Sequence, residues 1–216
     1  NSIDLNCDRH MNIFKQHNII PSFCFGCYKV QVEPRSLLDL VKVHIVFDQL
    51  RLVNNNTRKC AVELRPQISG FYKGLIYCSS LEQAQDIKTS LNLVIKERVS
   101  QNLISNIKRG CSEYPISHPT FKKINFSGDQ PMKYNEDWKI IEEGFDKKRG
   151  IRSNKFVPLS LPGLHLQDLI IIRKWIDYAR GIGDRTVDLF PTEQILYHDI
   201  YNSARNRLIS SDAIND

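Results

Sequence analysis

The chain has 216 residues, of which 41% are hydrophobic and 25% are charged, so it can bury a core and does not have the composition of a disordered protein. Its 30 lysines and arginines outnumber 24 aspartates and glutamates, and the resulting pI of about 9.0 is compatible with nucleic acid or another polyanion as a partner. The sequence has no run of about 18 apolar residues, so it predicts no membrane-spanning helix and no membrane partner.

The number of cysteines and the N-terminal residues indicate in which cellular compartment the protein is expected. Six cysteines in a chain of this length are too few for a small disulfide scaffold, and the first residues do not have the pattern of a secretory signal. We therefore expect a cytoplasmic protein whose cysteines are free thiols or metal ligands. Because the chain begins with Asn1 rather than Met, we also expect a fragment or processed product from which an N-terminal domain could be missing.

The first half of the chain opens with weak patterning and then becomes regular. Residues 1–21 are assigned to an N-terminal segment. From Tyr28 to Val32 apolar side chains alternate with polar ones, which predicts a strand with one buried face. Pro34 then opens a helix, which ends near Leu50 and is apolar over much of its girth.

Four further elements complete a core unit. They are a strand around Lys59–Leu64, a strand at Tyr72–Cys78, a helix that begins at Ser79 or Ser80 and a strand within Leu103–Arg109. The order strand, helix, strand, strand, helix, strand is that of the split β-α-β unit of ferredoxin-like folds. We therefore predict an α+β fold over residues 22–116, with an antiparallel four-stranded sheet in the order 4-1-3-2 and two helices.

Residues 117–216 are predicted to be a linker followed by a mainly helical extension. The linker contains Pro119, Gly128 and Pro131, and helical spacing of apolar residues follows it. We expect the extension to pack on the core, because the first core helix has more apolar surface than one sheet face can cover.

Four cysteines are the most informative chemical feature. Cys24 and Cys27 form a C-x-x-C before the first strand, Cys78 ends the third strand, and Cys111 follows the fourth. In the split topology the start of the first strand lies beside the ends of the third and fourth strands. The sequence therefore predicts that these four thiols meet at one edge of the sheet.

Four thiolates at one point suit a tetrahedral zinc ion or a 4Fe-4S cluster, and the two cofactors are left equally open. The alternatives are inert core cysteines with no cofactor, or a redox disulfide pair. Cys60 fits better as a small buried hydrophobe, and Cys7 lies outside the core unit.

The same edge gathers groups that could bind an anion. The loop before the second strand brings Arg58 there, and the second core helix begins there at Ser79 and Ser80 with free N–H groups. We predict these three residues as candidates for binding a cofactor or an anion. The alternative interpretation is an ordinary helix cap beside solvated charges.

Three functions follow as hypotheses. The first is a metal-binding module with a structural or electron-carrying role. The second is an RNA- or DNA-binding module that uses a basic sheet face, on which Lys29, Gln31, Lys59 and Glu63 are expected to point away from the helices. The third is an enzyme that acts on an anionic substrate at the cysteine edge. Standard nucleotide-binding, zinc-protease and serine-hydrolase motifs are absent, so no catalytic residue is assigned.

Overall fold

The protein, in a computed structural model that describes residues 6–66, 68–149, 165–190 and 198–212, has an α+β fold. Its strands are β1 (Tyr28–Val32), β2 (Arg58–Val62), β3 (Tyr72–Cys78) and β4 (Ser105–Arg109). Its helices are α1 (Cys7–His17), α2 (Ser22–Phe25), α3 (Leu37–Gln49), α4 (Leu81–Arg98), α5 (Tyr114–Ser117), α6 (Trp138–Arg149), α7 (Leu166–Gly181) and α8 (His198–Asp212), with 3-10 turns at Pro119–Lys122 and Arg185–Leu189. The predicted fold class is confirmed.

The four strands form one antiparallel sheet in the order β2-β3-β1-β4. β1 lies between β3 and β4, and β2 pairs with the other side of β3. These are the neighbours that the sequence predicted. In the described part of the chain, no helix combines the length and the apolar character needed to cross a bilayer.

The helices α3 and α4 cover one face of this sheet, and each begins at a serine cap. The Ser36 hydroxyl accepts a hydrogen bond from the Asp39 N–H, and the Ser80 hydroxyl accepts one from the Gln83 N–H, both at 3.1 Å. The caps fix where the helices start, and their apolar stripes then meet the alternating apolar side chains of the strands.

The main core lies between these helices and the sheet. Its buried residues include Tyr28, Val30, Val32, Val43, Val46, Phe47, Ile76, Cys78, Ala84, Ile87, Leu91 and Ile95. Gly74 of β3 lets α3 approach closely, because a Cβ atom there would stand only 2.9 Å from the Val43 Cγ1 atom and 3.1 Å from the Phe47 ring. Packing this tight makes the helix-covered face a solid core.

A second core joins α7 to the outer side of α3. Its buried residues include Leu37, Leu40, Tyr72, Trp175, Ile176 and Ala179. The Asp184 carboxylate accepts hydrogen bonds from the Leu37 N–H at 2.6 Å and the Tyr72 hydroxyl at 2.7 Å, so the segment after α7 caps α3 from outside. Residues 165–190 of the predicted extension therefore pack on the core unit.

The N-terminal segment is more ordered than its weak patterning indicated. Within the predicted segment 1–21, residues 7–17 form α1, whose Ile13 is buried together with Phe145 of α6. Residues 1–5 lie outside the described residues, as do 67, 150–164, 191–197 and 213–216 of the rest of the chain. The predicted boundaries after residues 21 and 116 stay predictions.

Candidate functional site

One end of the sheet carries the segments on which the predicted cysteines lie. Tyr28, the first residue of β1, pairs with Cys78 at the end of β3 and with Arg109 at the end of β4. Just beyond the strands, the Gly110 N–H donates a hydrogen bond to the Cys27 carbonyl at 2.8 Å. We call residues 24–29, 77–78 and 109–111 the cysteine end of the sheet.

Cys24, Cys27 and Cys111 lie close together there. Burial raises the pKa of the Cys24 thiol, and negative charge on Cys111, Cys27 or Cys7 would raise it further. Burial likewise raises the pKa of Cys27 to about 11, and charge on Cys111, Cys7 or Cys78 adds to that rise. Charge on Cys7 or Cys111 acts on both Cys24 and Cys27, which indicates that these cysteines lie in one region of the molecule.

Cys78 lies at the same end but on the opposite face of the sheet. It pairs with Tyr28, and both side chains belong to the main core under α3 and α4. Burial raises the pKa of Cys78 to about 11. The Cys78 S–H donates a weak hydrogen bond to the Ile76 carbonyl, with the sulfur and the oxygen 3.8 Å apart. Side chains alternate along a strand, so Cys27, one residue before Tyr28, is directed to the other face.

Cys7, which is not among the four predicted ligands, lies in the region of Cys24 and Cys27, and its side chain is exposed. It is the first residue of α1, and Met11 and Phe14 of the same helix pack in a hydrophobic cluster with Cys24 and Cys111. The positions i, i+4 and i+7 share one face of a helix, so Cys7 belongs to the face that packs there. That spacing is the signal from which the sequence could have identified Cys7.

An aromatic cluster surrounds the buried part of this site. It consists of Phe14, Phe25, Tyr114, Phe121, Tyr134 and Trp138, whose rings contact one another in edge-on pairs. Within it, the Cys24 sulfur and the Tyr114 hydroxyl oxygen are 3.1 Å apart and share a hydrogen bond. Burial is the main cause that raises the pKa of Tyr114, so the hydroxyl stays protonated and can donate to a cysteine sulfur.

Two cations flank the thiols. The Lys29 Nζ atom lies 3.9 Å from the Cys111 sulfur and 5.6 Å from the centre of the Tyr77 ring, and its charge lowers the pKa of Cys27 against the effect of burial. Arg109 is buried close by among aromatic rings. Neither cation forms an ion pair with a carboxylate within the described ranges. The Lys29 charge only partly offsets burial, so the pKa of Cys27 stays at about 11 and the thiol form is favoured unless a metal ion binds.

The sulfurs do not adopt the geometry of a metal site in this arrangement. Over the residues that the structure describes, no three His, Cys, Asp or Glu side chains converge as metal ligands would. None of the six cysteines, all of which lie in the described part of the chain, forms a disulfide. Cys27 and Cys111 are only half-buried, so their side chains have the freedom to turn toward a bound ion.

The predicted anion-binding residues use their donors within the fold. The Arg58 guanidinium donates to the Phe47 carbonyl at the end of α3. The Ser80 hydroxyl caps α4, and the Ser79 N–H donates to the Gln83 side-chain oxygen at 2.9 Å. The arrangement is that of the alternative interpretation, a capped helix beside an engaged arginine.

The sheet face opposite α3 and α4 is partly covered. Gln31 and Lys73 on this face are only 5% and 7% exposed. Glu63 accepts a hydrogen bond from the Lys73 ammonium at 2.8 Å, and Lys29 is engaged at the cysteine end, whereas Lys59 is exposed. Base stacking on such a face requires open aromatic rings. The nucleic-acid hypothesis stays a prediction that this face does not favour.

The cysteine end and the segments packed against it thus combine the thiols of Cys24, Cys27 and Cys111, that of Cys7 from α1, the buried Tyr114 hydroxyl and two cations without carboxylate partners in the described part of the chain. Soft sulfur ligands of this kind bind zinc or iron–sulfur clusters, and pairs of them can also form disulfides. Comparison with known proteins finds no matching family model, no matching curated sequence and no matching solved structure.

Proposed function

We propose that the cysteine end binds a thiophilic metal ion through Cys7, Cys24, Cys27 and Cys111. The observation that carries the proposal is that three distant parts of the chain meet here: Cys24 and Cys111 pack in one cluster with α1, the helix that begins at Cys7, and the Gly110 N–H bonds the Cys27 carbonyl. Four thiolates complete a tetrahedral site, and two of them come from a C-x-x-C turn, the commonest way to present two sulfurs to one metal.

The two remaining cysteines provide an internal reference. Cys60 and Cys78 pack with apolar side chains of the main core, as a small hydrophobe does. Burial alone raises the pKa of Cys60, to about 12, whereas charge on Cys7 or Cys111 raises the pKa of both Cys24 and Cys27, and charge on Cys78 raises that of Cys27. A purely apolar role does not require cysteines to be neighbours, so the cluster calls for a further role.

The C-x-x-C segment has the local geometry that a metal-binding turn needs. The Cys27 N–H donates to the Cys24 carbonyl at 3.3 Å, which closes a tight turn between the two cysteines. The Gly110 N–H then ties the Cys27 carbonyl to the segment of Cys111. Because the backbones of Cys27 and Cys111 are already neighbours and both side chains are half-buried, the proposal requires side-chain rotation there rather than movement of the sheet.

Zinc is the ion that fits best. Cys24 and Cys111 pack among aromatic side chains, so a single ion would displace fewer of them than four irons and four sulfides would. Zinc bound by four thiolates is closed to substrates and has no redox chemistry, so the role is structural: it fastens α1 and the segment after β4 to the sheet. A reducing compartment such as the cytoplasm keeps the thiols available.

The test is to purify the protein without oxygen and to quantify zinc, iron and sulfide per chain. We expect one zinc per chain, and none in Cys27→Ser or Cys111→Ser. The matched control is Cys60→Ala, which should keep the zinc. Detection of iron and sulfide together with a broad absorption band would indicate an iron–sulfur cluster, instead of a zinc ion, at the same thiols. Folded protein that binds neither zinc nor cobalt under reducing conditions would refute the proposal.

The fourth ligand is decided by a second pair of variants. Cys7→Ser should lose zinc or bind it much more weakly, whereas Cys78→Ala should keep it, because the Cys78 side chain lies in the core on the other face. Loss of zinc in Cys78→Ala with zinc retained in Cys7→Ser would restore the ligand set predicted from the sequence.

A further inference from the structure

Arg109 is a buried arginine with an unusual set of partners. It is only 6% exposed, and its guanidinium carbon lies 5.2 Å from the centre of the Phe25 ring, 5.9 Å from that of Tyr28 and 4.9 Å from that of Phe121. No carboxylate in the described residues forms an ion pair with it. Burying a cation without an anion is costly, so a fold keeps one only where its donors or its charge have a use.

The donors of Arg109 hold the C-x-x-C turn. The Nε and Nη2 atoms both donate to the Phe25 carbonyl at 3.3 Å, and the Nη1 atom donates to the Met132 carbonyl at 3.1 Å. Phe25 is inside the turn, directly after Cys24 and two residues before Cys27. A planar guanidinium that grips one carbonyl with two N–H groups fixes both the position and the orientation of that peptide.

Arg109 also directly precedes the turn that carries Cys111. Arg109 is the last residue of β4, Gly110 follows with φ of +55°, and Cys111 comes next. A Cβ atom on Gly110 would stand 2.4 Å from the Phe121 ring, so the chain needs glycine to make this turn. Arg109 therefore connects the backbone of the C-x-x-C turn rigidly to the backbone that carries Cys111.

We propose that Arg109 is a positioning residue for the metal centre, one that sets the spacing between the C-x-x-C thiols and Cys111 by its forked hydrogen bond to the Phe25 carbonyl. The inference rests on the proposed function. Groups that orient metal ligands from outside the coordination sphere typically contribute about 10- to 100-fold to metal affinity. Because the fork rather than the charge does the positioning, lysine cannot replace arginine here.

The experiment measures zinc affinity by chelator competition, together with the absorption spectrum of the cobalt-substituted protein. Arg109→Met keeps an apolar chain against the rings, and Arg109→Lys keeps the charge without the fork. We expect both variants to bind zinc about 10- to 100-fold more weakly than the unmodified protein, and to change the cobalt bands that report tetrahedral geometry. The control is Arg58→Met, which removes another guanidinium-to-carbonyl bond away from the thiols and should leave affinity and spectrum unchanged.

The outcomes separate the two proposals. If the unmodified protein binds neither zinc nor cobalt, the proposed metal centre itself is wrong. If the unmodified protein binds metal and Arg109→Lys binds it equally well with the same cobalt spectrum, the metal centre stands and the positioning role is overturned.

A measurement on the unmodified protein covers the case in which the variants do not fold. In the zinc-bound protein, the Nε–H proton of Arg109 should exchange with solvent far more slowly than that of the exposed Arg35 in nuclear magnetic resonance spectra. Exchange of the Arg109 proton as fast as that of Arg35 would show that the fork is not maintained, and it would overturn the inference.

Discussion

Charged side chains have different partners at the two ends of the sheet. Near the start of β3, the Asp184 carboxylate meets the Tyr72 hydroxyl, and the Glu63 carboxylate meets Lys73 and Arg65. At the cysteine end, Arg109 has aromatic rings and carbonyls around it and no carboxylate partner in the described part of the chain. We call the region of Asp184, Glu63 and Tyr72 the carboxylate end.

This difference indicates a different role for each end of the sheet. The carboxylate end is complete, because each of its two carboxylates accepts hydrogen bonds from several donors of the same chain. The cysteine end has cations and thiols whose charges balance only when the thiols ionise, as they do on a metal. Changes at the carboxylate end should therefore alter stability alone, and changes at the cysteine end should alter stability and metal binding together.

The largest effect is expected for Gly110→Ala at the cysteine end. The new methyl group would stand 2.4 Å from the Phe121 ring, on a residue whose φ is +55°. Overpacking and the left-handed backbone together should lower the free energy of unfolding by about 3 kcal/mol. Urea unfolding checks the stability, and the zinc content should fall as well.

Gly74→Ala is the matched control for this change. Its methyl group would stand 2.9 Å from the Val43 Cγ1 atom in the main core, in ordinary strand geometry. It should cost about 2 kcal/mol and leave one zinc per folded chain. If Gly110→Ala loses stability but keeps full zinc affinity, the cysteine end does not couple the two properties.

The next effect is expected for Asp184→Asn at the carboxylate end. Burial alone would raise the pKa of Asp184, but hydrogen bonds from Tyr72, Thr186 and Leu37 hold it below its usual range. An amide in place of the carboxylate turns one acceptor into a donor that faces the Tyr72 hydroxyl and the Leu37 N–H. We expect a loss of about 2 kcal/mol in urea unfolding with unchanged zinc content.

A double-mutant cycle makes the Asp184 prediction specific. Tyr72→Phe removes the hydroxyl that donates to Asp184 at 2.7 Å, so the two losses should be less than additive when combined. Asp188→Asn, in the same 3-10 turn but exposed, should change stability by less than about 0.5 kcal/mol. Additive losses would mean that the Tyr72–Asp184 bond contributes nothing of its own.

The sequence was sufficient for the sheet because alternation and helical spacing are local. The strand order follows from the order of elements, and it places Cys24, Cys27 and Cys111 at one end. The face of Cys78 depends on its pairing with Tyr28, a register that periodicity alone does not reveal.

Contacts between residues that are distant in the sequence are the other feature that sequence patterns do not reveal. α1 is held by contacts with distant segments, and a short apolar stripe alone does not predict such a helix or the position of Cys7. Arg58 was predicted to face a ligand, but its partner is the Phe47 carbonyl, which becomes its neighbour only after α3 packs. The partners of Arg109 could not be predicted, because the burial of an arginine is visible only in three dimensions.

The smallest effect is expected for Glu63→Gln, and its signature is the pH dependence. Hydrogen bonds from Arg65, and to a lesser extent from Lys73, lower the pKa of Glu63 to about 2. An unfolded glutamate titrates near about 4.3, so folding favours the ionised form. The stabilisation from Glu63 is therefore fully present above about pH 5 and is lost as the pH falls toward about 2.

Glu63→Gln removes that contribution at neutral pH and should cost about 1 to 2 kcal/mol there. Between about pH 5 and 2 its free energy of unfolding should fall less steeply than that of the unmodified protein, because one fewer carboxylate takes up a proton on unfolding. Urea titrations across this range measure the slope, and the exposed Glu97→Gln should keep the original slope. Parallel pH profiles for Glu63→Gln and the unmodified protein would show that Glu63 has an ordinary pKa, and that the carboxylate end is less tightly paired than its 2.8 Å contacts indicate.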